Sequence, residues 1–341
     1  MIVTRRFPPY LIAIFGLPMI LGGALWAFAV FALYTWAGLT FLKLPFLPIA
    51  TVGTAVAFYV GFKNNAAYER FWEGRKIWGG IVNASRTWST AVVSYIDPGD
   101  DSEQAQETRR LLIHRHLAWI NAVRLQLRRT SRFFDKPARS TARRLKEHEG
   151  HMRNDWDAEI GPFLPSDEFD HVSPMANPAT HIVTRQGTHL AELLRSERID
   201  LFHQIAMMEI LTELYSLQGK AERIKHTPFP RQYAEYSRIF TRVFVLLVPL
   251  GLLDVFTDHV GQAISLQSIV PALPMIFASA LVTWVFATME GIGDSSEDPF
   301  ERSMNDVPMN ALCVTIERDL RQMLGETDVR ESEPPAGNIL Y

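Results

Sequence analysis

The sequence predicts an all-α integral membrane protein with four transmembrane helices and a large helical cytosolic region. Two observations predict this class. Near each end of the 341-residue chain lie apolar stretches long enough for two spans, each of which needs about 20 residues. The part between them is charged and carries the amphipathic spacing of helices rather than the alternation of strands.

Spans one and two are expected within residues 1–62. The stretch Tyr10–Leu42 is almost uncharged, and span one is predicted near Leu11–Leu33. Pro45 and Pro48 mark the turn into span two, which is predicted near Phe46–Phe62. The helical path is expected to continue from there into water as an amphipathic helix that ends near Tyr95.

Residues 63–237 are predicted to form a cytosolic helical region. One helix is expected over Glu107–Phe134, interrupted at Pro137, and others from Pro178 onward and over Asp200–Lys225. The last is expected to bury a stripe formed by Leu201, Ile205, Met208, Leu211 and Tyr215. The first carries a face of arginines, interpreted as solvated or as forming inter-subunit ion pairs: Arg109, Arg110, Arg115, Arg124, Arg128 and Arg129.

Spans three and four are expected within residues 238–289, over Ile239–Phe256 and Ile269–Met289. Residues 290–324 are predicted to be a C-terminal cytosolic segment, first acidic and irregular and then helical over Ala311–Leu324. The remaining residues, 325–341, are expected to form a disordered tail.

Basic residues orient the four spans. On one side of them lie Arg5, Arg6, Lys63, Arg70, Arg75, Lys76, Arg231 and Arg238, whereas the opposite loops hold only Lys43. Because cytoplasmic loops are enriched in Lys and Arg, both termini are predicted in the cytoplasm, with the protein in the cell inner membrane.

Span two carries a stripe at i, i+4 spacing, formed by Ala50, Thr54, Phe58 and Phe62. Small residues beside it, namely Gly53, Ala55, Ala57 and Gly61, would let helices approach closely. Two interpretations remain open. The stripe lines a pore formed by several copies, or span two is an ordinary membrane helix whose small face meets a neighbour in the same subunit.

Motifs for enzymatic or metal chemistry are missing from the sequence. Cys313 is the one cysteine, which excludes an intrachain disulfide and two-cysteine metal motifs. His114 and His116 are two apart on a helix and face different directions, and His148 and His151 lack the zinc-protease spacing. No nucleotide-binding loop, nucleophile elbow or nucleic-acid-binding motif is visible, so we expect no enzyme, no cofactor and no nucleic-acid partner.

Two separated motifs resemble the bacterial branch of the bestrophin family. The first is NNAAYERFWEGR from Asn64 to Arg75 with Trp78-Gly79 after it; the second is EDPF from Glu297, with NDVP from Asn305 and IERDL from Ile316. The resemblance implies a homopentameric ion channel with one axial pore, a hydrophobic neck and a cytosolic aperture. Carried over by residue, it implies a neck at Thr54, Phe58 and Phe62 and an aperture at Phe229.

The resemblance also bears on two further questions: whether the chain binds calcium, and whether the channel passes anions or cations. Animal bestrophins hold calcium with carboxylates after span four; Asp306 matches one of them, but Ser303 stands where another acid would be, so no calcium gating is expected. In a five-fold pore, Lys63 would form a ring of positive charge below the neck and favour anions. Glu297, Asp298 and Asp306 could offset that ring if they faced the axis.

The leading hypothesis is therefore a passive channel for small inorganic ions, with chloride and other anions expected, in a lipid bilayer. The alternatives are a cation-selective channel of the same fold and a non-conducting membrane scaffold or sensor. A secondary transporter is disfavoured because charged residues are missing from the span interiors and inverted repeats are not evident.

Overall fold

A computed structural model of the chain describes residues 1–129, 149–257, 269–301, 305–332 and 334–341. In these residues the regular structure is helical, and β contacts are limited to two isolated bridges, Ile2 with Ile339 and Ala336 with Ile339. The all-α prediction is thus confirmed for the described part of the chain. It contains ten α-helices: α1 (Pro9–Thr35), α2 (Phe46–Tyr95), α3 (Glu103–Arg128), α4 (Trp156–Ile160), α5 (Ser166–Val172), α6 (Pro178–Arg195), α7 (Leu201–His226), α8 (Arg231–Phe256), α9 (Leu273–Ser296) and α10 (Met309–Met323).

The chain divides into two compact units. The membrane unit comprises Thr4–Glu69 and Phe229–Glu297, and the polar unit comprises Met1–Val3, Arg70–Pro228 and Asp298–Tyr341. Each unit has an apolar core of its own. The membrane borders expected at residues 62, 237 and 289 stay predictions.

Among the described residues, four helical segments are long and apolar enough to cross a membrane: Pro9–Thr35, Phe46–Tyr95, Arg231–Phe256 and Val270–Ser296. In their most apolar windows only 22%, 28%, 39% and 22% of the residues are buried. The rest of this apolar surface is exposed in the single chain. We expect it to contact lipid or another protein. The prediction of four membrane-spanning helices is confirmed.

The bounds of spans three and four differ from those predicted. Helix α8 begins at Arg231, well before the apolar run at Ile239, and α9 continues to Ser296, beyond Met289. Glu290 and Asp294 lie one turn apart on α9, and both accept hydrogen bonds from Lys63. Because these carboxylates have a partner in the membrane unit, the first part of the acidic segment, up to Ser296, is helical where an irregular one was expected.

Helix α2 is a single element of 50 residues. It joins the predicted span Phe46–Phe62 to the predicted amphipathic helix without a break, as expected from the sequence. In its membrane part, α2 packs on α8 with a core that includes Ile49, Val56 and Val60.

In the polar unit, α3 is the central helix. Its N-terminus is capped by Ser102, whose Oγ accepts from the backbone N of Ala105 at 3.3 Å. Leu112, Leu117 and Ile120 are fully buried in the core of the unit. The predicted interruption at Pro137 lies outside the described residues.

Three arginines of α3 lie inside the polar unit. Arg115, Arg124 and Arg128 are 3%, 0% and 5% exposed. Arg115 donates to both carboxylate oxygens of Glu168 at 2.6 and 2.8 Å, and Arg124 donates to Glu159 at 2.8 Å. A guanidinium can be buried when its donors are satisfied and a carboxylate offsets its charge. The expectation of a solvated face or of inter-subunit ion pairs is therefore wrong for these residues.

The C-terminal tail also differs from expectation. The backbone N of Leu340 donates to Met1 O at 2.8 Å, and that of Val3 donates to Asn338 O at 3.0 Å. Ala311 N on α10 donates to Tyr341 O at 2.9 Å. These bonds join the last residues to the first ones and to α10, where a disordered tail was predicted.

Candidate functional site

The predicted neck residues lie on one exposed face of α2. Phe58 and Phe62 are 68% and 72% exposed, and Thr54 is exposed as well. Their spacing of four residues keeps them on one side of the helix. Two large aromatic side chains, one helical turn apart, are thus left uncovered by the part of the membrane unit that the structure describes.

The opposite side of α2 is buried in the membrane unit. Val56 and Val60 are 4% and 0% exposed. A Cβ atom added to Gly53 would lie 2.5 Å from Phe244 on α8, so this glycine serves a contact inside the chain. At Gly61, by contrast, no atom of the described residues beyond the helix's own backbone would lie within 4 Å of an added Cβ. Gly53 therefore fits the interpretation of a small face that packs within the subunit. Gly61 has free space beside it, as the interpretation of a face that meets other copies requires.

Thr54 introduces a hydroxyl into an otherwise apolar stripe. Its Oγ1 donates to the carbonyl oxygen of Ala50, one turn earlier, at 3.1 Å. The donor is thus already used within the helix. The stripe is consequently less polar at this position than the residue type suggests.

Lys63, the predicted pore-adjacent charge, is buried. It is 1% exposed, and its Nζ lies 3.1 Å from Glu290 Oε1 and 2.5 Å from Asp294 Oδ1. Two carboxylates thus offset one ammonium, which reduces the field that a ring of Lys63 would exert. The sequence interpretation missed both partners, although their i, i+4 spacing at the end of span four was a usable signal.

The acidic residues that were considered as offsetting charges have other surroundings. Asp298 Oδ1 lies 3.4 Å from Arg70 Nη2 in the polar unit. Glu297 is buried in the membrane unit, 3.9 Å from Arg231.

Phe229, the predicted aperture residue, is only 6% exposed. Its ring packs edge-on against Tyr233, with the centroids 6.5 Å apart. A ring that narrows an ion path must present its side chain to that path. The burial of Phe229 therefore gives its assignment no support.

A different aromatic residue is exposed at the N-terminus of α7. Phe202 is 83% exposed, and the neighbouring Leu201 and Ile205 are 54% and 48% exposed. We call these three residues the α7 patch. Leu201 and Ile205 were expected to be buried, but of the predicted stripe Leu211 lies inside at 2% exposure, whereas Met208 and Tyr215 are partly exposed. Helical periodicity identifies an apolar face without saying whether the same chain covers it.

The described residues contain no group of three or more His, Cys, Asp or Glu side chains placed to hold a metal ion. Asp306, the remaining candidate calcium ligand, is 7% exposed, and Ser303 lies outside the described residues. His116 is hydrogen bonded to Ser85 Oγ at 2.8 Å, and His114 to Glu326 at 3.0 Å. The two histidines thus have separate partners. Of the His148 and His151 pair, His148 also lies outside the described residues.

Comparison with known proteins relates this chain to one family over almost its whole length. The family model described as "Bacterial/Fungal Bestrophin protein" matches residues 16–322. A "Voltage-dependent anion channel-forming protein" of Mesorhizobium japonicum is 29% identical over 310 residues, which cover 91% of this chain and 85% of the relative. A protein of the same description from Escherichia coli K12 is 26% identical over 305 residues, covering 89% and 85%.

The fold is also similar to that of a solved structure. A bacterial bestrophin homolog from Klebsiella pneumoniae superposes with a TM-score of 0.75 at 24% identity, covering 91% of this chain and 99% of the other. At this identity the likeness concerns the fold.

Proposed function

The chain belongs to the bacterial and fungal bestrophin family, and from this premise we propose that it forms a homopentameric channel that passes small anions passively across a membrane. The observation that carries the proposal is the exposed stripe Thr54, Phe58 and Phe62 on a helix whose other side is buried. Five such stripes around an axis would form a hydrophobic neck, in which ions pass only where the pore is wetted.

Several features support assembly from copies of the chain. Large apolar side chains on α2 and in the α7 patch are exposed in the single chain, and contiguous exposed apolar surface marks interaction sites. Closed cyclic symmetry would place identical residues around one axis. Mass measurement of the purified protein in detergent tests this directly. A pentamer is the expected result, and a stable monomer or dimer would contradict it.

We further propose that both termini, residues 63–237 and the segment 290–324 are cytoplasmic, with the protein in the inner membrane. The proposal rests on the basic residues that flank one side of the spans and the near absence of such residues on the other. Protease protection in inside-out and right-side-out vesicles tests the orientation. Cleavage of the polar unit only in inside-out vesicles is expected, and cleavage only in right-side-out vesicles would reverse the topology.

Ion selectivity is the part of the proposal with a specific competitor. The names of the relatives support anions. A cation-selective channel of the same fold is supported by one observation: Glu290 and Asp294 offset the charge of Lys63, and with Arg238 beside Asp294 the cluster carries no net charge. A ring of five such clusters would therefore lack the attraction for anions that five unpaired lysines would exert.

The experiment that decides between them is a reversal-potential measurement on reconstituted protein under a potassium chloride gradient. An anion channel reverses near the chloride equilibrium potential, and a cation channel reverses near that of potassium. Absence of current from well-assembled protein would instead support the non-conducting scaffold.

The aperture is proposed at one of two aromatic residues. Phe229 is the residue implied by the resemblance, whereas Phe202 has the exposure that a constriction requires. Conductance of Phe229→Ala and Phe202→Ala, compared at equal expression, separates them. We expect Phe202→Ala to change conductance or selectivity and Phe229→Ala to alter chiefly stability; the reverse pattern would restore Phe229.

A further inference from the structure

The membrane unit contains a compact polar cluster where the apolar parts of α2 and α9 end. Its centre is the ammonium of Lys63, which contacts carboxylates of Glu290 and Asp294 at 3.1 and 2.5 Å. Lys63 is 1% exposed, and the side chain of Glu290 is 14% exposed. A buried charge of this kind is held in place by its partners, because moving it away from them leaves it uncompensated.

A second contact joins the same two helices next to the first. Asn64 Nδ2 donates to the backbone carbonyl of Met289 at 2.9 Å. The close approach requires a glycine on α9: a Cβ atom on Gly293 would lie 2.3 Å from Asn64 Oδ1 and 3.4 Å from Lys63 Cε. We call Lys63, Asn64, Glu290, Gly293 and Asp294 the α2–α9 clamp.

The clamp also reaches a third helix of the membrane unit. Arg238 Nη2 on α8 lies 3.5 Å from Asp294 Oδ2. Asp294 therefore lies between a buried lysine on α2 and a partly exposed arginine on α8. The charges in the cluster thus connect three of the helices that form the unit.

We propose that the α2–α9 clamp is a positioning device that fixes the rotation of α2 about its own axis and so holds Phe58 and Phe62 on the exposed face. The inference rests on the proposed function of that face as the pore neck. Lys63 follows Phe62 directly, so the two side chains point about 100° apart on the helix. With Lys63 fixed towards α9, Phe62 and the residue one turn before it, Phe58, are held away from the membrane unit.

Apolar packing alone specifies this rotation less sharply. Hydrophobic side chains of suitable volume can repack when a helix turns slightly. An ammonium between two carboxylates has one satisfactory arrangement, since rotation of α2 by a single position would separate the charges. The ionic cluster therefore gives the neck a defined orientation in an otherwise apolar environment.

The test uses accessibility of introduced cysteines in the full-length, reconstituted channel. The native Cys313 is buried, and burial raises the pKa of its thiol to about 11, so it does not compete for a thiol reagent. Phe58→Cys reports on the exposed face, and Val60→Cys reports on the buried face of the same helix. Current is recorded while a charged, water-soluble methanethiosulfonate is applied.

In the otherwise unchanged channel we expect rapid modification of Phe58→Cys and none of Val60→Cys. Adding Lys63→Met should slow modification at residue 58 by about tenfold and make residue 60 reactive, because loss of one partner of a buried pair releases the arrangement that it held. Gly293→Ala should act in the same direction through its clash with Asn64. Lys43→Met is the matched control, since it removes a lysine 3.6 Å from Asp254 in the same unit but outside the clamp.

A triple variant, Lys63→Met with Glu290→Gln and Asp294→Asn, keeps the experiment decisive if Lys63→Met does not assemble. It removes the three charges at the centre of the clamp, and Arg238, which loses Asp294, keeps Glu235 at 3.3 Å. Assembly is therefore expected while the rotation is released. If the assembled triple variant shows an unchanged modification pattern, the proposed positioning role of the clamp is wrong. The proposed pore neck is not affected by that result. Failure of the reagent to reach Phe58→Cys without any clamp mutation overturns the proposed neck instead.

Discussion

In α3, Arg115 and Arg124 are almost completely buried, whereas in the membrane part of α2 the two phenylalanines of the stripe are mostly exposed. Each helix thus reverses the usual rule that charged residues lie outside and apolar ones inside. The arginines of α3 find carboxylates and backbone carbonyls within the same unit. The phenylalanines of α2 are left uncovered by the described residues of their own unit.

The side chains of α3 find all their partners within one chain, whereas the exposed side chains of α2 do not. For α3, the buried charges are a matter of stability, because each has its partners already. For α2, the exposed rings require a surrounding that the single chain does not supply. The consequences of mutation should differ accordingly.

The largest expected effect is on the α3 side of the comparison. Arg124→Met removes a buried guanidinium that donates to Glu159, to Asn310 and to the carbonyl of Arg153. Glu159 keeps Arg153 as a partner, and the loss of the other buried hydrogen bonds should lower the free energy of unfolding by about 3–5 kcal/mol. The matched change Arg110→Met removes a mostly exposed arginine paired with Glu326, and should cost no more than about 1 kcal/mol. Thermal unfolding in detergent measures both. Equal effects would show that the burial of Arg124 has no energetic importance.

The second prediction compares two phenylalanines of the membrane unit. Phe244→Ala removes a ring packed against Gly53 and should cost about 3–5 kcal/mol. Phe58→Ala removes an exposed ring, so stability should change little while the neck widens and the barrier to wetting falls. We expect larger or more persistently open currents from an assembled pentamer. Currents no larger than those of the unchanged protein would locate Phe58 away from the axis.

The third prediction concerns the buried side of α3 at low pH. Burial lowers the pKa of His116 to about 3, from an ordinary value of 6.5. Between these values the unfolded chain binds a proton that the folded chain does not, so stability falls as pH is lowered. From pH 7 to pH 5 the loss should be about 2 kcal/mol. His116→Gln should abolish that part of the acid sensitivity, whereas His181→Gln, at an exposed position, should not.

The smallest expected effect sharpens the description of the stripe. Thr54→Val removes a hydroxyl that already donates to Ala50 within the helix. Because that hydroxyl is engaged with the backbone, single-channel conductance should change by less than about twofold. A large decrease would mean that the Thr54 hydroxyl contacts permeating water or ions.

What the sequence could predict is local in character. The four spans follow from apolar length, and the unbroken α2 follows from continuous helical periodicity between Phe46 and Tyr95. The stripe at Thr54, Phe58 and Phe62 follows from the i, i+4 spacing alone. Each of these patterns can be recognised from the residues of one continuous segment.

What the sequence could not predict depends on partners far along the chain. Glu168 is 53 residues from Arg115, and Asp294 is 231 residues from Lys63. Periodicity assigns a charged residue to one face of a helix. It does not identify the distant carboxylate that offsets the free-energy cost of burying that charge. The exposure of Phe202 was missed for the converse reason, since an apolar side chain on a helix is ordinarily expected inside.

Two glycines on α2 differ in the space around them. Any side chain at Gly53 meets Phe244, so the single chain already forbids substitution there. Among the described residues, no heavy atom outside the helix's own backbone lies within 4 Å of a Cβ at Gly61. A saturation library scored for function would therefore use Gly61 as a genetic reporter: tolerance there means open space in the living cell, and intolerance reveals a neighbour that one chain alone does not contain.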